Sequence, residues 1–182
     1  MSYPIATNEL TLTDIKAFRG SAVEAGIARA LKLALASNRG ELVAYEALPL
    51  TNMGALAYTT ENYITGALVA GWQASGDGAG VGTVPIGQIL VFYKTANASA
   101  VVPPLVTAVR FRVGATGAST KAVFFIQLAT ENKMESDVYF SEPVVYEPQD
   151  RLFLQVYSTG IGAAEPVSFG CFVISRLGPE IS

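Results

Sequence analysis

The stretch Val109-Arg110-Phe111-Arg112-Val113 alternates apolar residues with arginines at every step. A period of two puts Val109, Phe111 and Val113 on one face of an extended chain and both arginines on the other. That is a strand with one side in a core and the other in water. A second stretch, Ala122-Val123-Phe124-Phe125-Ile126, is apolar at every position, which suits a central strand or one covered by a partner. Working outward by the same grammar, strands are expected at Leu42–Leu48, Asn62–Ala70, Ile86–Lys94, Leu105–Val113, Lys121–Ala129, Asp137–Phe140, Leu152–Ser158 and Val167–Ser175. The separators are turn chemistry: Gly76–Gly82, Val102-Pro103-Pro104, Gly114–Ser119, Glu147-Pro148-Gln149-Asp150 and Gly160–Pro166. About eight short strands without alternating helices predict a mainly β chain, an antiparallel β-sandwich or jelly roll. No repeat of fixed period is present, which argues against a propeller or solenoid.

The first forty residues follow a different grammar. Residues 1–20 contain Pro4 and the polar run Thr7-Asn8-Glu9 and show no sustained periodicity, so they read as an arm. One short α-helix is expected next. Ser21-Ala22-Val23-Glu24 has the spacing of a capping box, and Val23, Ile27, Ala30, Leu31, Ala34 and Leu35 recur at helical intervals. Asn38-Arg39-Gly40 offers a basic last turn and a glycine stop. Gly26 within the helix costs about 1 kcal/mol relative to alanine, which hints at close approach to a neighbour. The organisation predicted is an N-terminal arm and helix over 1–40 and a β-sandwich domain over 41–182.

Composition narrows the function classes. Hydrophobic residues make up 51% and charged residues 15% of the 182, against about 25% charge in an ordinary soluble domain. Mean hydropathy is +0.37. A subunit with large interfaces accommodates that apolar excess better than a free monomer. The longest apolar runs stop far short of the roughly 20 residues a spanning helix needs. The opening MSYPIATNEL has no basic or apolar leader segment, so no export signal is visible; no membrane partner is expected. The net charge of −3 argues against nucleic acid as a specific partner. Charge is unevenly distributed, however. Lys16, Arg19, Arg29, Lys32 and Arg39 dominate residues 14–39, whereas Glu131, Glu135, Asp137, Glu142, Glu147 and Asp150 dominate 131–150. Such patches are solvated faces or complementary sides of a subunit contact.

The motifs that could carry chemistry mostly fail on spacing. In Gly76-Asp77-Gly78-Ala79-Gly80-Val81-Gly82 the positions a phosphate loop would need as glycine are Val81 and Thr83, and no G-K-[ST] follows. The run reads as a flexible hairpin or loop tip. With no histidine and the single cysteine Cys171, zinc has no ligand set. Hydrolases of the serine or cysteine type lack their usual base. Glu131, Asn132, Glu135 and Asp137 cluster but lack the calcium-loop pattern. Cys171 sits in Phe169-Gly170-Cys171-Phe172-Val173-Ile174 and reads as a small buried hydrophobe. In Arg110-Phe111-Arg112 the ring and the guanidiniums lie on opposite faces, which weakens a nucleic-acid reading of that strand. No catalytic residue, cofactor or metal is expected.

One further stretch carries a likeness. Tyr139-Phe140-Ser141-Glu142-Pro143-Val144-Val145, followed by Pro148-Gln149-Asp150-Arg151-Leu152-Phe153-Leu154-Gln155-Val156, resembles the late strands of bacteriophage virion proteins. The chain is similar in particular to jelly-roll decoration (cement) and minor capsid proteins, over residues 42–175 and as strand rhythm. The resemblance implies a homo-oligomer, a trimer or dimer, held on a shell of other capsid proteins by loops and arms. It also implies a virion location after assembly in the host cytoplasm, and it supplies no functional residues. The function expected is therefore a virion structural protein that assembles on or stabilises a capsid. The interface candidates are Lys16, Phe18, Arg19, Arg29, Lys32 and Trp72. Alternatives are a lectin-like receptor-binding sandwich, with its site in the Gly76–Gly82, Gly114–Thr120 and Gly160–Pro166 loops, and a tail-tube or connector subunit.

Overall fold

In the computed structural model, residues 109–113 form a strand with Phe111 inside and the arginines outside, as the alternation requires. The structure describes residues 4–6, 12–52, 55–59, 63–64, 67–74, 81–97, 104–114, 119–125 and 136–176. In chain order the elements are β1 (Pro4–Ala6), α1 (Leu12–Lys32), a 3-10 turn (Arg39–Glu41), β2 (Leu42–Glu46), β3 (Leu48–Asn52) and β4 (Ala55–Thr59). There follow β5 (Tyr63–Ile64), β6 (Gly71–Ala74), β7 (Val81–Thr83), β8 (Gln88–Asn97) and β9 (Val106–Val113). The last four are β10 (Ser119–Phe125), β11 (Ser136–Tyr146), β12 (Arg151–Ser158) and β13 (Pro166–Arg176). Among the described residues the chain is mainly β, in two antiparallel sheets and a separate β3–β4 hairpin, with one α-helix.

Sheet I has the order β1-β11-β8-β13-β2, with β5 also on β13; sheet II has the order β10-β9-β12-β6, with β7 also on β12. β3 and β4 form a separate hairpin. The pairs β2·β13, β6·β12, β8·β11 and β9·β10 are nested along the chain and alternate between the sheets. They are the four rungs of one long hairpin rolled into two layers.

The sheets enclose an aromatic core. Phe124 and Phe140 stack at 3.6 Å, and Phe111 meets both edge-on at 5.9 and 5.7 Å. Leu90, Leu152, Leu154 and Val173 fill the space around them. Cys171 is fully buried here, and burial pushes its thiol pKa up.

Several expected boundaries move. The helix starts at Leu12 and not at Ser21, so residues 12–20 of the expected arm belong to the helix, and β1 before it pairs with β11. Ser21 is exposed in mid-helix, so the capping-box spacing there is coincidental. Ile15, Phe18 and Ala22 extend the stripe N-terminally at helical spacing. The helix is correspondingly long, at 21 residues. It ends at Ala34 (φ 55°), where Leu35 N–H bonds Ala30 O and Ala34 N–H bonds Leu31 O. That is a Schellman ending, six residues before the glycine expected to stop it. Asn38 caps the 3-10 turn instead, in a reciprocal box with Glu41.

Among the strands, β11 runs past Phe140 through Pro143. Proline is tolerated there because residues 140–143 oppose Tyr93 alone in a bulge. Of the strand expected over Asn62–Ala70, the described residues form β5 and an isolated bridge from Leu68 to Gly162. β3, β4, β6 and β7 come in addition to the expected set, and residues 126–129 lie outside the described residues. Glu147–Asp150 is a turn as expected, with Pro148 second and Gln149 at φ 68° third.

Candidate functional site

Each sheet turns one face into the core and one outward, and the two outward faces differ. On sheet I the outward face is covered by α1. Its residues Ala22, Gly26 and Ala30, four apart, are buried against Ile89, Val91, Phe172 and Ile174. The small side chains let the helix lie close. A Cβ added at Gly26 would stand 2.6 Å from Ile174 Cγ1 and 2.8 Å from Val91 Cγ2.

Ion pairs fasten the helix at both ends of this contact. Arg19 meets Glu46 at 2.6 Å, and Arg29 forms an ion pair with Glu147. Glu46 also accepts a hydrogen bond from the Tyr93 hydroxyl, and the Tyr93 ring stacks on Phe172 at 5.3 Å. Burial and the adjacent carboxylate raise the Tyr93 pKa.

Sheet II has no such cover among the described residues. Antiparallel pairing places cross-strand partners on one face, so register sets out its outward residues in rows. Trp72 lies beside Tyr157; Gln155 beside Arg110 and then Val123; Phe153 beside Arg112. The side chains engage one another. The Arg110 guanidinium lies over the Trp72 ring at 4.3 Å, and Tyr157 meets that ring edge-on at 5.4 Å. Arg110 Nε donates to Gln155 Oε1 at 2.6 Å, and Arg112 Nη1 approaches the same oxygen at 3.4 Å. Arg151 lies over the Phe153 ring at 5.3 Å. No strand of sheet II contains an aspartate or glutamate, whereas Arg110, Arg112, Lys121 and Arg151 all lie in it. Lys121 is paired with Asp150 at 3.1 Å. Partial burial and the neighbouring Arg112 charge lower the Arg110 pKa, the direction expected where like charges converge.

This arrangement can bind an anionic or aromatic surface. It presents fixed guanidiniums against rings, the composition of protein contact hot spots. It offers no acid–base pair for catalysis. Phe111 is indeed on the opposite face from Arg110 and Arg112, but Trp72, Tyr157 and Phe153 come from other strands to the arginine side. Charge and aromatic rings therefore do cooperate on this face.

Of the residues expected at an interface, Trp72 alone lies on sheet II. Lys16 and Lys32 are exposed on α1. Phe18 packs on Tyr139 at 5.4 Å, within the helix–sheet contact. Arg19 and Arg29 meet carboxylates of their own chain, so the basic and acidic stretches are joined intramolecularly at Arg29–Glu147. Among the described residues, Gly114 and Gly160 lie at opposite ends of the β9–β12 pair. Gly114 follows the β9 end that pairs with Leu152, and Gly160 follows the β12 end that pairs with Val106. Eight strand residues, about 25 Å, separate them. Residues 75–80 lie outside the described residues, between β6 and β7, which both pair with β12 on one sheet edge. Glu131, Asn132 and Glu135 also lie outside the described residues, and no cluster of three possible metal ligands occurs among the described ones. No described helix is long and apolar enough to cross a membrane.

At the opposite end of the sandwich a buried carboxylate does structural work. Glu165 accepts from Leu105 N–H at 2.8 Å and Val106 N–H at 3.1 Å, pinning the start of β9 to the β12–β13 connection. Comparison with protein families and with curated proteins finds no match to this chain.

Proposed function

We propose that the chain is a structural subunit of a bacteriophage-type particle, a decoration or minor capsid protein, without enzymatic activity. The observation that carries this reading is the outer face of sheet II, which no other described element covers and where Trp72, Arg110, Tyr157 and Gln155 form a cluster of ring and guanidinium contacts. Surface area of this kind is characteristic of subunit contacts. The nested strand pairs supply a second support. A roll of eight strands in which first pairs with eighth and fourth with fifth is the jelly-roll order, which recurs in viral capsid and lectin domains. The high mean hydropathy and low charge favour a subunit over a free monomer.

The lectin-like alternative has less support. A glycan needs an open aromatic face, and Arg110 occupies one face of Trp72 while Tyr157 abuts it. Gly114 and Gly160, from two of the loops that would have framed such a site, lie at opposite ends of the β9–β12 pair.

Light scattering on the purified full-length chain, with electron microscopy of any particle that copurifies, tests the proposal. The expected mass is a small multiple of 19.1 kDa, falling to the single-chain value in a Trp72→Ala/Tyr157→Ala double variant that retains its β circular dichroism. A wild-type chain that stays monomeric at high concentration and binds no particle overturns it.

A further inference from the structure

We infer that the apolar end of sheet II, where Val69 and Ile161 adjoin Trp72 and Tyr157, meets the same end of a second copy of this chain across a two-fold axis. The inference rests on the assembly reading above and adds the partner surface and the symmetry of the contact.

Beyond Gly71 and Ser158, the last pair of the β6·β12 ladder, the two segments come together once more. Leu68 N–H donates to Gly162 O at 2.9 Å, and Gly162 N–H donates to Leu68 O at 3.2 Å. Leu68 is buried in the core, so the alternation of an extended pair turns its neighbour Val69 outward, and Ile161 with it. These two side chains are 54% and 85% exposed. Neither sits on a loose tip. Val69 N–H donates to Gln73 Oε1 at 2.8 Å, Thr159 N–H to Leu105 O at 3.0 Å, and the Ser158 hydroxyl to Gly160 O at 2.8 Å. The Leu105 side chain lies against Gly162 so closely that a Cβ there would collide with it. A backbone held in this way presents its side chains already ordered, which lowers the entropy cost of burying them against a partner.

Area decides how far the contact extends. A stable interface buries about 800 Å² per partner, and two aromatic side chains of roughly 150–250 Å² each fall short of that. A contact centred on Trp72 and Tyr157 therefore runs on along β12 in one direction or the other. Toward the start of β12 the outward row leads through Arg110 and Phe153 to Arg151, and no strand of sheet II supplies a carboxylate. A second copy laid on that row would set cation against cation. Past Ser158 the row leads to Val69 and Ile161, which carry no charge.

That asymmetry fixes the symmetry of the contact. An apolar patch complements itself and a basic one does not, and a two-fold contact joins a patch to its own copy. An axis near Ile161 also keeps the arginines of the two copies apart. Gln155, which holds Arg110, lies six residues back along the chain from Ile161, up to about 20 Å. Exposed charges are largely screened beyond about 10 Å in 0.1 M salt.

The test compares four full-length samples by light scattering: wild type, Ile161→Asp, Arg151→Glu and Ile161→Cys. Ile161 is almost fully exposed, so its replacement leaves the fold intact, which circular dichroism checks. The chain's single cysteine, Cys171, is fully buried, so Ile161→Cys adds the one accessible thiol. Expected are a wild-type mass of twice 19.1 kDa, a dissociation constant at least tenfold higher for Ile161→Asp, and an unchanged mass for Arg151→Glu. Mild oxidation of Ile161→Cys is expected to give a covalent dimer on a non-reducing gel.

A wild-type multimer unaffected by Ile161→Asp overturns the inference while leaving the assembly reading standing, as does a monomer that docks on a particle. A monomer that binds no particle overturns both. Dissociation by Arg151→Glu as strong as by Ile161→Asp would place the contact along the basic row and overturn the inference. A dimer broken by Ile161→Asp in which Ile161→Cys fails to cross-link would put a different surface of the second copy against this end, and overturns the two-fold contact.

Discussion

Sheet I and sheet II share one core, yet the outward face of sheet I is apolar and covered by α1, while that of sheet II is aromatic and basic and has no such cover among the described residues. The cover comes from the chain's own α1, seated on Ile89, Val91 and Ile174 through Ala22, Gly26 and Ala30. No described element covers sheet II in the same way. The Arg110–Trp72 stack and the Tyr157 ring stand above the strands, where a close-lying helix would have to displace them. A face that the chain covers itself is built for tight packing, and a face left open is built from side chains stable in water that still reward burial.

The strongest way to break this comparison is to truncate one large side chain on each face. Ile174→Ala removes a fully buried side chain under α1 and is expected to lower unfolding free energy by about 3–4 kcal/mol. Tyr157→Ala removes a side chain 37% exposed and is expected to cost about 1 kcal/mol or less in the monomer. Urea unfolding of both variants at low protein concentration measures the difference. Equal losses would mean that sheet II is also covered.

A second contrast concerns protons. Because the Tyr93 pKa is raised by burial and by Glu46, the folded state holds this proton more tightly than the unfolded chain. The stability it contributes is complete below the ordinary tyrosine value and is lost as pH rises above 10. The wild type is expected to exceed Tyr93→Phe in stability at pH 8 by about 1–2 kcal/mol, the worth of a hydrogen bond to a charged group. That margin shrinks above pH 10 by up to about 1.4 kcal/mol per pH unit. Thermal melts of both proteins from pH 8 to 11 follow it; a margin constant across that range would show that the hydroxyl is not protected.

The close seat of α1 gives a third. Gly26→Ala improves helix propensity by about 1 kcal/mol. Its new methyl, however, meets Ile174 Cγ1 and Val91 Cγ2 below 3.0 Å, and overpacking of that kind costs about 1–3 kcal/mol. Net destabilisation of about 1 kcal/mol is expected by urea titration, and a stabilised variant would show that the helix can lift from the sheet.

The sequence made these two faces legible to different degrees. Alternation in residues 109–113 identified Phe111 as core and the arginines as outward, and Gly26 within a helical stripe pointed to close approach. The start of α1 was hidden because Gly20 is a poor helix former and Ser21–Glu24 imitates a cap, although Ile15, Phe18 and Ala22 carry the stripe across them. β6 and β7 were hidden because each is too short to show a period and a glycine run lies between them. Trp72 and the outward arginines were legible one by one, but their grouping on sheet II was not. Trp72, Arg110 and Tyr157 are distant along the chain, and only register across β12 brings them together. Local pattern reports which way a side chain points; it does not report which strand lies beside it.

The smallest effect expected lies where the covering helix ends. Ala34 adopts a left-handed conformation (φ 55°) to close the Schellman turn, with Leu35 next in the chain packed back onto the helix–sheet contact. A Cβ is unfavourable in that conformation, and glycine is the residue most often found there. Ala34→Gly removes the strain but also frees the unfolded chain, so the two effects partly cancel. The net stabilisation expected is about 0.5–1 kcal/mol, a rise of about 2–4 °C in melting temperature for a chain of this size. Because Ala34 lies at the C-terminal end of α1, which seats on sheet I and not on sheet II, the variant is expected to keep the wild-type mass in light scattering. A gain in stability with unchanged mass would place folding and assembly on separate faces of the sandwich; a gain that also altered the mass would tie the end of α1 to the subunit contact.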